Sequence, residues 1–198
     1  MLLEPWKSNV FGSFTISEIM QLSKKRTKTW VFNALKELKN YKIINTERKG
    51  NMDIYSLNIT NPLTPHILQF IETIENLNFP LIKLISELIE KIKIKNYSLI
   101  IFGSYAEGKQ KNNSDLDVCF LIENKETEKK IKPYVNEIKL NYPIGIDDHY
   151  TPFEDFKKML TAEGENLGKQ IYKKHKIFYN PDTYYQLLKE AHKNGFKG

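Results

Sequence analysis

The sequence predicts an α+β fold: a small mixed β-sheet with flanking helices, preceded by a separate unit of short helices and a hairpin. Three observations predict it. Apolar residues switch along the chain between three-to-four spacing and alternation. Excess positive charge is confined to one end. Two aspartates stand at i and i+2 where an apolar run begins. The 198 residues, 40% hydrophobic and 27% charged, suit two small soluble units and exclude a disordered or fibrous chain. The apolar stretch Leu99 to Phe102 is far shorter than a membrane span, and the N-terminus lacks the basic flank and apolar core of a signal peptide. A cytoplasmic protein with no membrane partner is expected. A single cysteine, Cys119, excludes an internal disulfide and a thiolate zinc site, and its apolar neighbours mark it as core filling.

Residues 1–60 carry ten Lys/Arg against five Asp/Glu, whereas residues 61–198 carry twenty against nineteen. The basic end is therefore the N-terminal one. There Thr15 precedes Ile16, Ile19, Met20 and Leu22, an amphipathic helix with a threonine cap and Glu18 in its first turn. After the polar turn Ser23 to Arg26, Thr27 opens a second helix whose apolar side is Trp30, Val31, Ala34, Leu35 and Leu38. The period then changes, and Ile43 to Arg48 and Asp53 to Leu57 read as strands around the turn Lys49-Gly50-Asn51. Helix, helix and basic-tipped hairpin resemble the winged helix-turn-helix family over about residues 10 to 60. That resemblance implies DNA contact through Lys24, Lys25, Arg26, Lys28, Arg48 and Lys49. Such domains also dock proteins, and a solvated basic turn reads the same way in sequence.

Residues 62–95 read as connecting helices. Pro62 and Pro65 break the chain, Ile67, Leu68, Ile71, Ile74 and Leu77 mark one helix, and Leu81 to Ile92 mark another. Nothing in this stretch suggests chemistry. The divisions expected are thus 1–61, 62–95 and 96–198.

Chemistry begins at residue 98. Ser98 to Phe102 is a strand that stops at Gly103-Ser104, with Gly108 beyond. Glycine lets backbone approach a ligand, and free amides with the Ser104 hydroxyl suit phosphate oxygens. In Ser114-Asp115-Leu116-Asp117-Val118, period two places both carboxylates on one face and Leu116, Val118 and Phe120 on the other. Adjacent carboxylates repel, and hard divalent cations, Mg2+ or Mn2+, are the natural compensation.

Together, Gly103-Ser104-Tyr105-Ala106-Glu107-Gly108 and Ser114-Asp115-Leu116-Asp117 resemble the signature of the DNA polymerase beta superfamily of nucleotidyltransferases, closest to its minimal members. The resemblance implies that Gly103 and Ser104 hold the phosphates of ATP or another nucleoside triphosphate. It implies that Asp115 and Asp117 hold metal with a third carboxylate from a later strand. Asp147 and Asp148 both compete for that place. If Ile144 and Ile146 face the core, Asp147 shares the metal face, and Asp147 is preferred. His149 reads as a strand-end residue or, less simply, as a ligand or base. Many relatives carry a basic residue where Glu107 stands, so Lys109 or Lys111 is expected to help bind triphosphate. The resemblance also implies transfer of AMP to an acceptor hydroxyl. It further implies an antitoxin role in which the acceptor is a toxin partner, often of the HEPN class. Two alternatives stand beside it: a DNA-binding regulator whose second domain senses nucleotide or docks a partner, and a tRNA or small-molecule nucleotidyltransferase. The C-terminal Phe153 to Leu188 region reads as helices covering the sheet, its tyrosines packed in the core or stacked on a base.

Overall fold

The computed structural model describes residues 2–198. The chain divides into two units, residues 1–71 with 197–198, and residues 72–196. The division falls inside a helix.

In the first unit α1 (Glu4–Ser8) leads into β1 (Ser13–Thr15), α2 (Ile16–Leu22), α3 (Lys28–Asn40), β2 (Ile44–Lys49) and β3 (Met52–Leu57). Thr15 closes a reciprocal cap: its hydroxyl accepts from the Glu18 amide, and its own amide donates to Glu18 Oε2 at 2.7 Å. This satisfies two helix-end donors at once. Thr27, by contrast, makes no side-chain cap bond. The two strands of the hairpin pair antiparallel, Ile44 opposite Leu57 and Lys49 opposite Met52, and β1 adds to the other side of β3. Neither α1 nor β1 was expected, because a five-residue helix and a three-residue strand are too short to show a period. Trp6 of α1 is nonetheless fully buried, its indole N–H donating to the Gly12 carbonyl at 3.0 Å.

The second helix departs from expectation at Trp30. Val31 and Leu35 are buried, but Trp30 is 50% exposed, as is Phe32. At 100° per residue these two aromatics flank the buried stripe on either side. Helix α4 (Leu63–Asn76) starts before Pro65 rather than after it. Proline in a first turn forfeits only an amide that has no helical partner anyway.

The second unit contains α5 (Ile82–Lys91), β4 (Tyr97–Ile101), α6 (Gly103–Glu107), β5 (Leu116–Ile122), α7 (Lys125–Asn141), β6 (Ile146–Pro152), α8 (Phe153–Thr161), α9 (Leu167–Lys173), β7 (Lys176–Tyr179) and α10 (Pro181–Lys193). Its sheet runs β6-β5-β4-β7, with β5 and β6 parallel and the other pairs antiparallel. One face buries Leu99, Ile101, Val118 and Phe120 against Leu84, Leu88, Ile131 and Val135 of α5 and α7. On the other face α8 packs on β5 and β6, and α10 on β4. Both faces are thus covered, as a parallel β5–β6 pair requires. Strand β7 escaped the sequence reading because four residues cannot establish alternation. It is tied down by Glu72, whose Oε2 accepts from the Ile177 amide at 3.1 Å while Oε1 accepts from Tyr185 at 2.7 Å. Tyr184 and Tyr185 are buried in the core, and that burial holds their hydroxyls well above the ordinary phenol value.

Candidate active site

Strand β4 ends at Ile101, and the chain turns at Gly103 with φ +63°. The turn is fastened to the next strand by the Phe102 amide, which donates to the Asp117 carbonyl at 3.1 Å. Helix α6 follows and closes on Gly108, also left-handed, with the Lys109 amide donating to the Ser104 carbonyl at 2.9 Å. The Gly103-Ser104 turn therefore lies directly against the start of β5, where the two acids are.

Asp115 stands just before β5, and Asp117 is the second residue of it. Leu116 and Val118 are fully buried, so the strand is anchored on one side while Asp117 remains half-buried on the other. Across the parallel ladder Leu116 registers with Ile146, Asp117 with Asp147 and Val118 with Asp148. Asp147 therefore shares a face with Asp117. Asp148 points the other way and pairs with Lys139 of α7. Burial alone would raise the Asp148 carboxyl, but the Lys139 ammonium overrides it and holds the group below its ordinary value.

Two glycines make room for the acids. A Cβ on Gly103 would overlap Asp117 Oδ2 and come within 2.8 Å of its Cγ. A Cβ on Gly145 would likewise overlap Asp115 Oδ1 and come within 2.7 Å of its Cγ. The Gly145 carbonyl also accepts the Leu116 amide at 2.8 Å, which fixes the approach. Gly145 is a site residue that the sequence reading passed over. Its only signal was a glycine interrupting an isoleucine pair at a strand start.

The carboxylates bear on one another at Asp117. Burial pushes the Asp117 carboxyl above its ordinary value, and the charges of Asp147 and Asp115 push it further, against the lowering effects of His149 and a backbone hydrogen bond. No lysine or arginine is among the groups that shift it. His149 lies inside β6 rather than at its end: Nε2 is 3.1 Å from Asp147 Oδ2, and its ring meets Phe102 edge-on at 5.5 Å. Asp147, 59% exposed, is turned to this histidine. Among the described residues no three His, Cys, Asp or Glu side chains are drawn together tightly enough to form a ready metal cluster. The donor set still fits a hard divalent cation. It offers three carboxylates at the starts of two neighbouring strands, with like charges raising Asp117.

Lys109, expected to help with triphosphate, is paired with Glu107 at 2.6 Å, and that bond with the charge of Lys174 holds Glu107 below the usual carboxylate range. In the first unit Lys24, Arg26, Lys28, Arg48 and Lys49 are exposed, and Lys25 lies over the Trp30 ring at 5.5 Å. Lys49 pairs with Glu47 at 3.6 Å, and Arg48 Nε donates to the Gly50 carbonyl at 3.4 Å.

Residues 81–182, which contain Asp115, Asp117, Asp147, Gly103 and Gly145, match the family model of the nucleotidyltransferase domain. The chain belongs to that family. As a nucleotidyltransferase it is an enzyme that transfers phosphorus-containing groups, and nucleotidyltransferase domains generally use divalent metals. Over 186 residues this nucleotidyltransferase is also 32% identical to a Saccharomyces cerevisiae protein named Homologous-pairing protein 2, a similarity covering 90% of this chain and 78% of the yeast one. No solved structure matches it. Among the described residues no helix is long and apolar enough to cross a membrane.

Proposed function

We propose that the second unit moves a nucleoside monophosphate, AMP from ATP, onto an acceptor hydroxyl. The observation that carries this reading is the register of Asp117 with Asp147 beside the Gly103 turn. Gly103 and Ser104 receive the phosphates, with Gly103 lacking the side chain that would displace Asp117. Asp115, Asp117 and Asp147 are the residues that would hold magnesium or manganese. The bound cation supplies positive charge to the phosphate oxygens as negative charge develops there. The acceptor oxygen bonds to the α-phosphorus, the bond to the bridging oxygen of the β-phosphate breaks, and pyrophosphate leaves. The hydroxyl proton passes to a carboxylate oxygen of Asp147, which His149 holds in place.

A catalytic unit of this size has little surface for gripping a template, which favours a single transfer to a partner over polymerisation. A protein acceptor, a HEPN-class toxin for an antitoxin of this kind, is the reading we adopt. Incubation with ATP labelled at the α-phosphate, magnesium and candidate protein or RNA acceptors tests it. Label on protein that vanishes in Asp117→Asn supports the reading. Label on RNA selects the tRNA-type alternative, and no label with any acceptor leaves the nucleotide-sensing regulator.

For the first unit we propose a winged helix-turn-helix that binds duplex DNA. Its support is the order α2, α3 and the β2–β3 hairpin, the basic surplus, and the exposure of Lys24, Arg26, Lys28, Arg48 and Lys49. Six cationic contacts, with Lys25, predict a slope of log K against log salt of about −5. Binding without salt dependence would assign this unit to protein docking instead.

A further inference from the structure

The Gly103-Ser104 turn lies at the end of β4, and the sheet order β6-β5-β4-β7 gives that strand end two different neighbours. On one side are the carboxylates at the starts of β5 and β6. On the other is β7, which runs antiparallel to β4 and registers Lys176 with Ile101 as the last pair of the ladder. Beyond that pair the two chains continue as Phe102-Gly103 and as His175-Lys174. Lys174 therefore flanks the turn on the side away from the acids.

Its backbone is fixed. Lys174 ends α9, its amide donating to the Gln170 carbonyl at 3.1 Å, and its φ of −147° and ψ of 109° are extended. His175 is turned inward, with its side chain 4% exposed. Its Nδ1 donates to the Ile171 carbonyl at 2.7 Å, and Nε2 lies 3.7 Å from Glu72 Oε1. Consecutive side chains of an extended chain point to opposite sides. An inward His175 thus sends Lys174 outward, and Lys174 is exposed. Its charge is felt at Glu107, the last residue of α6: the hydrogen bond and charge of Lys109 lower that carboxyl most, and Lys174 adds to them.

A triphosphate at the turn is strongly negative, and its outermost phosphate carries the most charge. Asp115, Asp117 and Asp147 repel that group, whereas the β7 side offers an ammonium. Lys109, nearer in sequence, already gives its ammonium to Glu107 at 2.6 Å.

We propose that Lys174 binds the outermost phosphate of the nucleoside triphosphate, so that the triphosphate lies across the strand ends from the acids of β5 and β6 toward β7. The proposal rests on the Gly103-Ser104 turn being the phosphate site. Titration calorimetry of the full chain with ATP and with ADP, both in magnesium, tests it. Lys174→Met should bind ATP about tenfold or more weakly, the worth of one charge-assisted hydrogen bond, and ADP within about threefold of wild type. Lys174→Arg keeps the charge and should restore most of the ATP affinity. Lys173→Met removes the same charge from the neighbouring residue, which pairs with Glu165, and should leave ATP binding unchanged. The melting temperature of Lys174→Met should match wild type, because the side chain is exposed. Unchanged ATP affinity in Lys174→Met, beside a loss in Gly103→Ala, overturns the proposal and leaves the turn as the phosphate site. An equal loss of ATP and ADP, or an equal loss in Lys173→Met, also overturns it. Full ATP affinity in Gly103→Ala overturns the turn as well.

Discussion

The Asp117 carboxylate occupies the space that a side chain at residue 103 would need, its Cγ 2.8 Å from where a Cβ would stand on Gly103. The glycine thus has two reasons to be there, the close approach and its φ of +63°. Gly103→Ala should lose nucleotide binding at least tenfold by calorimetry and lower the melting temperature. Gly108→Ala is the matched comparison: φ is +68° but nothing lies within 4 Å of the added carbon. It should cost only the backbone strain, about 1–2 kcal/mol, and keep its affinity for nucleotide.

Gly145 makes a similar demand through Asp115, without an unusual φ. Gly145→Ala should displace that carboxylate and weaken Mn2+ binding, read by electron paramagnetic resonance, by about tenfold or more. Strand β6 should still form, because its ladder bonds with β5 are backbone bonds.

Asp147 and Asp148 are adjacent in sequence and opposite in role. Asp147→Asn should abolish partner-dependent pyrophosphate release with little change in stability, since its side chain is exposed. Asp148→Asn should retain metal binding but lose about 1–2 kcal/mol, less than a fully buried pair because the Lys139 side chain is 35% exposed. The pH dependence follows from the lowered Asp148 value. Its contribution is full above the unfolded carboxylate value of about 4 and is lost as pH falls through the lower folded value. The stability difference between wild type and Asp148→Asn should therefore shrink on acidification below about pH 4.

The sequence revealed most of what period and parity can encode. The Asp115/Asp117 spacing, the turn at Gly103 and the alternation from Ile146 to Asp148 all follow from side chains switching faces on consecutive residues, and the β5–β6 register agrees with that parity. What escaped were elements too short for a period, namely α1, β1 and β7, and relationships between strands distant in sequence. No local pattern could say that Gly145 abuts Asp115, that His149 meets Phe102, or that Lys139 reaches Asp148. Trp30 failed for a different reason. Periodicity counts every apolar residue as buried, whereas the helix had already filled its inner stripe with Val31 and Leu35.

Cys119 of β5 is fully buried, with its thiol 3.7 Å from Thr151 Oγ1. Burial pushes that thiol up to about 12. A disulfide reagent at pH 8 should not modify the folded chain within minutes and should react fully in denaturant, because only the thiolate attacks. Rapid modification of native protein would show that the second unit opens there.

Strand β5 is hydrogen-bonded along both edges, to β4 and to β6, and Asp117 gives its carbonyl to Phe102 as well. Amides so placed exchange with solvent only when their whole cooperative unit opens. Asp117, the acid that meets both of the others, thus rides on the backbone that is slowest to let go. Mild denaturant or warming should leave Asp117 and the Gly103 turn fastened to it in place until the central strands melt, so nucleotide binding disappears in a single step with the β4–β5 amides rather than fading ahead of them.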